Sequence, residues 1–304
     1  MTDATAKPAK PDKNKKAEKK LGLVGEIGEI VKTVVYALLI ALVIRVVLFQ
    51  PYTIPSASDE PNLYRGDYII VTKWSYGWSQ KSVPFLDLLP TFMPGRLFFT
   101  PPRRGDIVVF KLPSDGHTDY IKRLIGLPGD RIQIRDGQLY INDRPVKEQP
   151  APLPPPPVGV TDPDERAGRL ETNPEGRKYL TQIYPSQQAV SGANNTGVYV
   201  VPPHCYFMMG DNRDNSADSR FDSGLSPGDP KLGGCAWDNA LDDKVGTMNG
   251  VGFVPEENLE GRAALILLSW NTGPDQDHPC CANIFLPWTW FMDARPGRFF
   301  KVLR

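Results

Sequence analysis

Three short stretches hold the side chains able to do chemistry. Thr53 to Val71 (TIPSASDEPNLYRGDYIIV) carries Ser56 and Ser58. Asp119 to Asp130 (DYIKRLIGLPGD) sets Lys122 inside an apolar, strand-like run. Phe207 to Arg220 (FMMGDNRDNSADSR) crowds polar groups behind an apolar run. Histidine is scarce, with only His117, His204 and His278, and no G-x-S-x-G elbow accompanies them. A Ser-His-Asp triad therefore has little to build on. Cys205, Cys235 and the adjacent pair Cys280-Cys281 lack zinc-ligand spacing. A disulfide among them is open in an oxidising compartment, but sequence leaves the pairing undetermined. Serine with lysine remains. A serine hydroxyl attacks poorly until a base takes its proton. A lysine amine can take it only when neutral, and at a pKa of about 10.4 only about one in a few thousand is neutral at pH 7. Desolvation lowers that pKa. In an extended strand Lys122 shares its face with Tyr120 and Leu124, while Ile121, Arg123 and Ile125 point the other way. The lysine face is therefore apolar, as a neutral amine requires.

The elements that must carry these groups are legible in outline. Residues 1–20 hold seven lysines and no aromatic residue, the mark of a solvated tail. Between Lys32 and Gln50 the only charge is Arg45, over about 17 positions. With the upstream apolar residues this is enough for a membrane-spanning helix over 23–49, after a lysine-rich tail at 1–22. A buried core helix is the competing reading, and no small-residue cleavage site follows to mark a removable signal. The lysines place the N-terminus in the cytoplasm and everything after Gln50 outside. Phe85 to Phe99 is apolar but carries two prolines, so it reads as a greasy loop or hairpin at the membrane surface or packed on its own core. Short β-branched runs follow at Tyr68–Trp74, Asp106–Leu112, Tyr120–Leu127, Arg131–Gly137, Gln138–Asp143, Gly197–Pro202, Tyr206–Gly210 and Gly261–Trp270. Asp136-Gly137 between two of them predicts a hairpin. The proline-rich stretch at 149–196 reads as an insertion without a core of its own, and 222–250 as a second insertion. The fold class is mainly β, with an exported domain over 50–304.

Composition narrows the function. The chain has 35 basic and 35 acidic residues among 304, a balance unlike that of a nucleic-acid binder. Residues 1–50 hold nine basic and five acidic groups, which leaves 26 and 30 for the rest. Neutrality is thus a basic tail plus a mildly acidic domain. Thirty-one prolines weigh against a mostly helical chain, and 13 Phe, 11 Tyr and 6 Trp against disorder throughout.

Taken in this order, the apolar helix, PSAS, YIKRLIG, GDNRDNSADSR and GFVPEENLEGRA (Gly252 to Ala263) resemble bacterial type I signal peptidases, membrane-bound Ser-Lys proteases. The resemblance implies a β-rich catalytic domain that removes signal peptides from secretory preproteins at a membrane lipid surface, without nucleic acid. It implies Ser58 as nucleophile, Lys122 as general base, Ser56 as oxyanion donor beside the Ser58 backbone N–H, and Ser216 as the hydroxyl positioning Lys122. Asp218 and Arg220 would form a structural ion pair, supported by Asp211 and Asn212. Ile54, Pro55, Leu63, Tyr120 and Ile121 would wall pockets for small side chains. No metal or organic cofactor is implied, because serine, lysine and backbone donors supply the reaction. One residue departs from the family: Asp59 stands where methionine is usual, at the edge of the substrate site. Turned toward Lys122, its carboxylate would stabilise the ammonium and suppress the base; turned to solvent, it would cost little. The first orientation keeps open a weakened or silent signal-peptide-binding paralogue. A Ser-Lys self-cleaving regulator would need a DNA-binding domain, and none is visible.

Overall fold

The apolar run before Gln50 forms a helix. Helix α1 covers Lys13–Val47. Within it Gly25–Val47 contains an 18-residue window of mean hydropathy 2.4 with no buried residue, and is long and apolar enough to cross a membrane. Its 23 residues extend about 35 Å at 1.5 Å per residue, against about 30 Å of hydrocarbon. Arg45 lies in the last turn, where the helix dipole favours a cation. The structure, a computed structural model, describes residues 13–83, 95–156, 165–187, 192–226, 228–236, 250–271 and 293–303, and the side chains from residue 25 onward. It divides into two units, Met1–Val47 and Leu48–Arg304.

The second unit is built from strands. In chain order they begin with β1 (Phe49–Thr53), β2 (Asp67–Thr72), β3 (Trp78–Ser79), β4 (Arg96–Leu97), β5 (Ile107–Lys111) and β6 (Asp119–Gly126). Then come β7 (Arg131–Arg135), β8 (Gln138–Ile141), β9 (Arg144–Pro145), β10 (Lys147–Ala151), β11 (Ala167–Thr172) and β12 (Lys178–Ile183). The last are β13 (Tyr199–Val200), β14 (Cys205–Met209), β15 (Val254–Pro255), β16 (Leu259–Ser269) and β17 (Lys301–Val302). The main sheet runs β1-β2-β16-β5-β6-β14-β15, with β17 on β16. A second sheet runs β13-β7-β8-β9, a third β10-β11-β12, and β3 pairs β4. Every strand pairing described is antiparallel.

The central strands are apolar throughout because both faces are buried. On β5, Ile107 and Val109 join a cluster with Ile54, Leu63, Ile69 and Val71. Val108 and Phe110 join another with Leu124, Tyr206 and Met208. This is the two-residue alternation of a strand between two cores. The hairpin expected at Asp136-Gly137 is present: φ is 49° and 74° at these residues, and β7 pairs β8 with Arg135 opposite Gln138. Two positive φ values match the twist of the flanking strands.

The segment 149–196 differs from expectation. It does have ordered structure, because β10, β11 and β12 form a sheet and Tyr179 is buried in the cluster of Ile125, Phe207 and Phe253. The sheet was hidden because its strands are charged. Glu171 is buried against Arg213 at 2.6 Å instead of facing water, so hydropathy registers no inward face. The proline run at 150–156 does lack regular structure beyond Ala151. Of Phe85–Phe99, residues 85–94 lie outside the described residues; its end forms β4, with Leu97 opposite Trp78. Of the second insertion, residues 227 and 237–249 lie outside the described residues, as do His278, Cys280 and Cys281.

Cys205 and Cys235 are joined by a disulfide across 30 positions. The closed loop contains all of residues 210–220, and both cysteines are fully buried. Such a bond restricts the unfolded chain. The double substitution Cys205→Ser/Cys235→Ser is therefore expected to lower Tm by roughly 5 °C, read by circular dichroism. An unchanged Tm would show that the bond adds nothing to the fold.

Candidate active site

Three segments converge. The first is the turn after β1. Asp59 O accepts from Asn62 N at 3.1 Å and Leu63 N at 2.9 Å, which bends the chain directly after Ser58. The second is β6, paired to β5 with Lys122 opposite Val108. The third leaves β14, where Met209 pairs with Arg123, so that Gly210 departs level with Lys122.

The third segment clamps the first. Asn212 N donates to Ser58 O at 3.0 Å, and Asn212 Nδ2 to Ala57 O at 3.2 Å. Asn62 Nδ2 donates to Asp211 Oδ2 at 2.7 Å. Gly210 is required here, because a Cβ on it would collide with Ser216 Oγ and the Ser58 carbonyl.

In this setting Lys122 Nζ donates to Ser58 Oγ at 2.6 Å and to Ile121 O at 2.8 Å. Lys122 is 4% exposed and Ser58 8%. The amine lies 5.6 Å from the centre of the Tyr120 ring, so part of the expected apolar wall is present. Ser56 Oγ, exposed, is 3.3 Å from Ser58 Oγ. The Ser58 backbone N–H has no partner among the described residues. Ser216 Oγ is buried without a hydrogen-bond partner. The expected Ser216–Lys122 contact is thus not formed; the amine is spent on Ser58 and Ile121.

A cleft of about 420 Å³ opens over these groups. Pro55, Ala57, Tyr120, Ile121 and Ala217 are among the residues that line it. Ile54 and Leu63 are not among its lining. They are 3% and 0% exposed, in the core with Ile69 and Val71.

Charges behind the site are paired. Arg220 Nε and Nη2 donate to Asp218 at 2.9 and 3.0 Å, and Gly210 N donates to Asp218 Oδ2 at 3.0 Å. Burial alone would raise the Asp218 carboxyl, but Arg220 and these backbone donors hold it below its ordinary value. A second pair was not anticipated. Arg123 grips Asp211 with two bonds of 2.6 and 2.7 Å, both residues 1% exposed. Its signal was present, since Arg123 interrupts an apolar strand and such a residue needs a buried partner.

Asp59 corrects the picture of an apolar site. It is 2% exposed, which rules out the solvent-facing orientation, and neither carboxylate oxygen meets a hydrogen-bond donor. Burial pushes its carboxyl from 3.8 to about 7, against the pull of the Lys122 charge and with help from Asp211. His204 is on the surface beside Glu256 and His117 is exposed, so neither described histidine reaches the site. No group of metal ligands occurs among the described residues.

A family model described as signal peptidase, peptidase S26, matches residues 27–270. Signal peptidase I of Rickettsia typhi is 38% identical over 275 residues, covering 88% of this chain and 90% of its own. That of Rickettsia canadensis is 42% identical over 202 residues, 64% of this chain and 73% of its own. A crystal structure of a signal peptidase I from Enterococcus faecalis overlaps 54% of this chain and 97% of its own, at 23% identity and a TM-score of 0.26.

Proposed function

Since the chain belongs to the signal peptidase family S26, a family of serine endopeptidases, we propose that it cleaves signal peptides from secretory preproteins with Ser58 as nucleophile and Lys122 as general base. The observation that carries this is the 2.6 Å bond from Lys122 Nζ to Ser58 Oγ, made by a buried lysine on the floor of a cleft.

The steps follow from the atoms present. A neutral Lys122 takes the Ser58 proton as Oγ attacks the scissile carbonyl. The oxygen that gains charge is met by the Ser58 N–H and the Ser56 hydroxyl. Lys122 then returns the proton to the leaving amine, and later activates the water that frees the acyl group. When Ser58 Oγ turns to substrate, Lys122 loses one of its two acceptors. Ser216 Oγ, buried and unpaired, is the hydroxyl that takes over holding the amine. Asp218–Arg220, with Asp211 and Asn212, keeps this hydroxyl and the Ser58 turn in place.

The substrate enters as a strand. β14 pairs with β6 only from Arg123 onward, so the edge at Asp119–Lys122 is free on that side among the described residues. An extended peptide added there presents alternate side chains to one wall. Pro55, Ala57, Tyr120 and Ile121 leave room for small ones, the A-x-A-like pattern of a signal-peptide cleavage site.

One apolar helix and the family point to a membrane-anchored protein. We place it in the bacterial inner membrane, lysine tail inside and catalytic unit in the periplasm. The Cys205–Cys235 disulfide supports this, because such bonds persist in oxidising compartments. Exposed Phe98, edge-on to Trp78, and Phe49, edge-on to Trp74, suit contact with lipid.

The test is incubation of the full chain in bacterial-lipid vesicles with a preprotein, followed by N-terminal sequencing of the product. A single new N-terminus after a small residue is expected. An intact preprotein would overturn the assignment.

A further inference from the structure

We infer that Arg65 is a specificity-determining residue, which binds a carboxylate-bearing side chain of the substrate close to the scissile bond. This rests on the peptidase reading above and goes beyond its preference for small residues.

Arg65 lines the same cleft as Ser58 and Lys122 and is half-buried. Three charged side chains line this cleft: Arg65, Asp119 and Lys122. Two are already engaged. Asp119 is bound by Lys111 at 2.8 Å across the β5–β6 pair. Lys122 is committed to Ser58 Oγ and Ile121 O. The Arg65 guanidinium has neither an ion pair nor a hydrogen bond among the described residues.

The base of the side chain, by contrast, is fixed. The Arg65 carbonyl accepts from Arg295 Nη2. The neighbouring Gly66 N donates to Ile54 O at 3.0 Å. The backbone is therefore held while the head is left unsatisfied. Each of the four buried arginines described is satisfied by a carboxylate: Arg104 by Asp130, Arg123 by Asp211, Arg213 by Glu171 and Arg220 by Asp218. Arg65, half-buried, has no such partner among the described residues.

A guanidinium presents a planar fork of donors that matches a carboxylate bidentately. Cleft walls screen it less than open water does. The buried Asp59 carboxyl does not supply the partner, because neither of its oxygens has a hydrogen-bond partner. The carboxylate thus belongs to a flanking substrate position, where it completes the pair that Arg65 lacks.

The experiment compares kcat/KM for matched peptides with Asp or Asn at each position, from three before to three after the scissile bond. The Asp/Asn ratio does not depend on how much enzyme is active, so a partly folded variant remains informative. For the wild type, one position is expected to favour Asp by about fivefold, the scale of a partly exposed ion pair. The ratio is expected to stay above one in Arg65→Lys, fall to one in Arg65→Ala, and invert in Arg65→Glu in favour of a Lys-bearing peptide. A wild-type ratio of one at every position, or the same ratio in Arg65→Glu, would overturn the proposal. Cleavage by Ser58→Ala at the wild-type rate would instead remove the peptidase reading beneath it.

Discussion

Ser58→Ala and Lys122→Ala are each expected to lower preprotein cleavage by about 10⁴-fold or more, while the catalytic unit stays folded. The first removes the atom that forms the acyl-enzyme. The second removes the amine bonded to Ser58 Oγ, and neither described histidine lines the cleft to replace it. Groups that act as a unit are not additive, so the double variant should be no worse than either single one. Lys122→Met is the sharper control, because it keeps apolar bulk beside Tyr120 and removes only the amine. Melting curves within a few degrees of wild type would separate lost chemistry from lost fold. Cleavage by Lys122→Met within tenfold of wild type would sink the base assignment. Cleavage by Ser58→Ala would sink the nucleophile.

The second large effect concerns Asp59. Its buried carboxyl titrates near pH 7. Once ionised it stabilises the Lys122 ammonium, the form that cannot act as base. Asp59→Met, which restores the residue usual in the family, is expected to move the acid limb of the kcat/KM profile to lower pH by about one unit, a tenfold gain on that limb. The same carboxyl carries a stability signature of defined sign. Its folded pKa of about 7 lies above its ordinary 3.8, so the folded state binds the proton more tightly. Stability therefore falls as pH rises from 3.8 through 7, and the full penalty persists above that window. Asp59→Asn should stabilise the protein by on the order of a few kcal/mol at pH 8 and by almost nothing at pH 3. Superimposable pH–rate profiles for Asp59→Met and wild type would show that the carboxylate does not reach the amine. A Tm gain for Asp59→Asn that is equal at both pH values would show that its charge is not buried.

Much of this was readable in order along the chain. The apolar helix, the hairpin at Asp136-Gly137 and the β5, β6 and β14 strands each follow from local patterns, because burial on one or two faces writes itself into apolar spacing. Among 13 serines, Ser58 was singled out, with Lys122, by the family resemblance that their segments and the GDNRDNSADSR box carry together. The charged strand β11 could not be read in this way. Glu171, Arg213, Arg123 and Asp211 are buried as pairs, and hydropathy scores each of them as solvent-facing. Ile54 and Leu63 were expected as pocket walls from their place beside the serines, yet they pack inward. Distance along the chain does not say which side of a turn faces the cleft.

Residue order therefore marked the candidate groups: a serine, a lysine of an apolar strand and a polar box, carried behind an apolar helix. Folding settled orientation. Lys122 is 64 positions from Ser58 and reaches it at 2.6 Å, and Asp59 is turned inward beside them instead of toward water. Whether a carboxylate one residue from the nucleophile is harmless or controls the base depends on the direction of one Cα–Cβ bond. The turn that Asn212 clamps sets that direction, and the clamp comes from a segment more than 150 residues away.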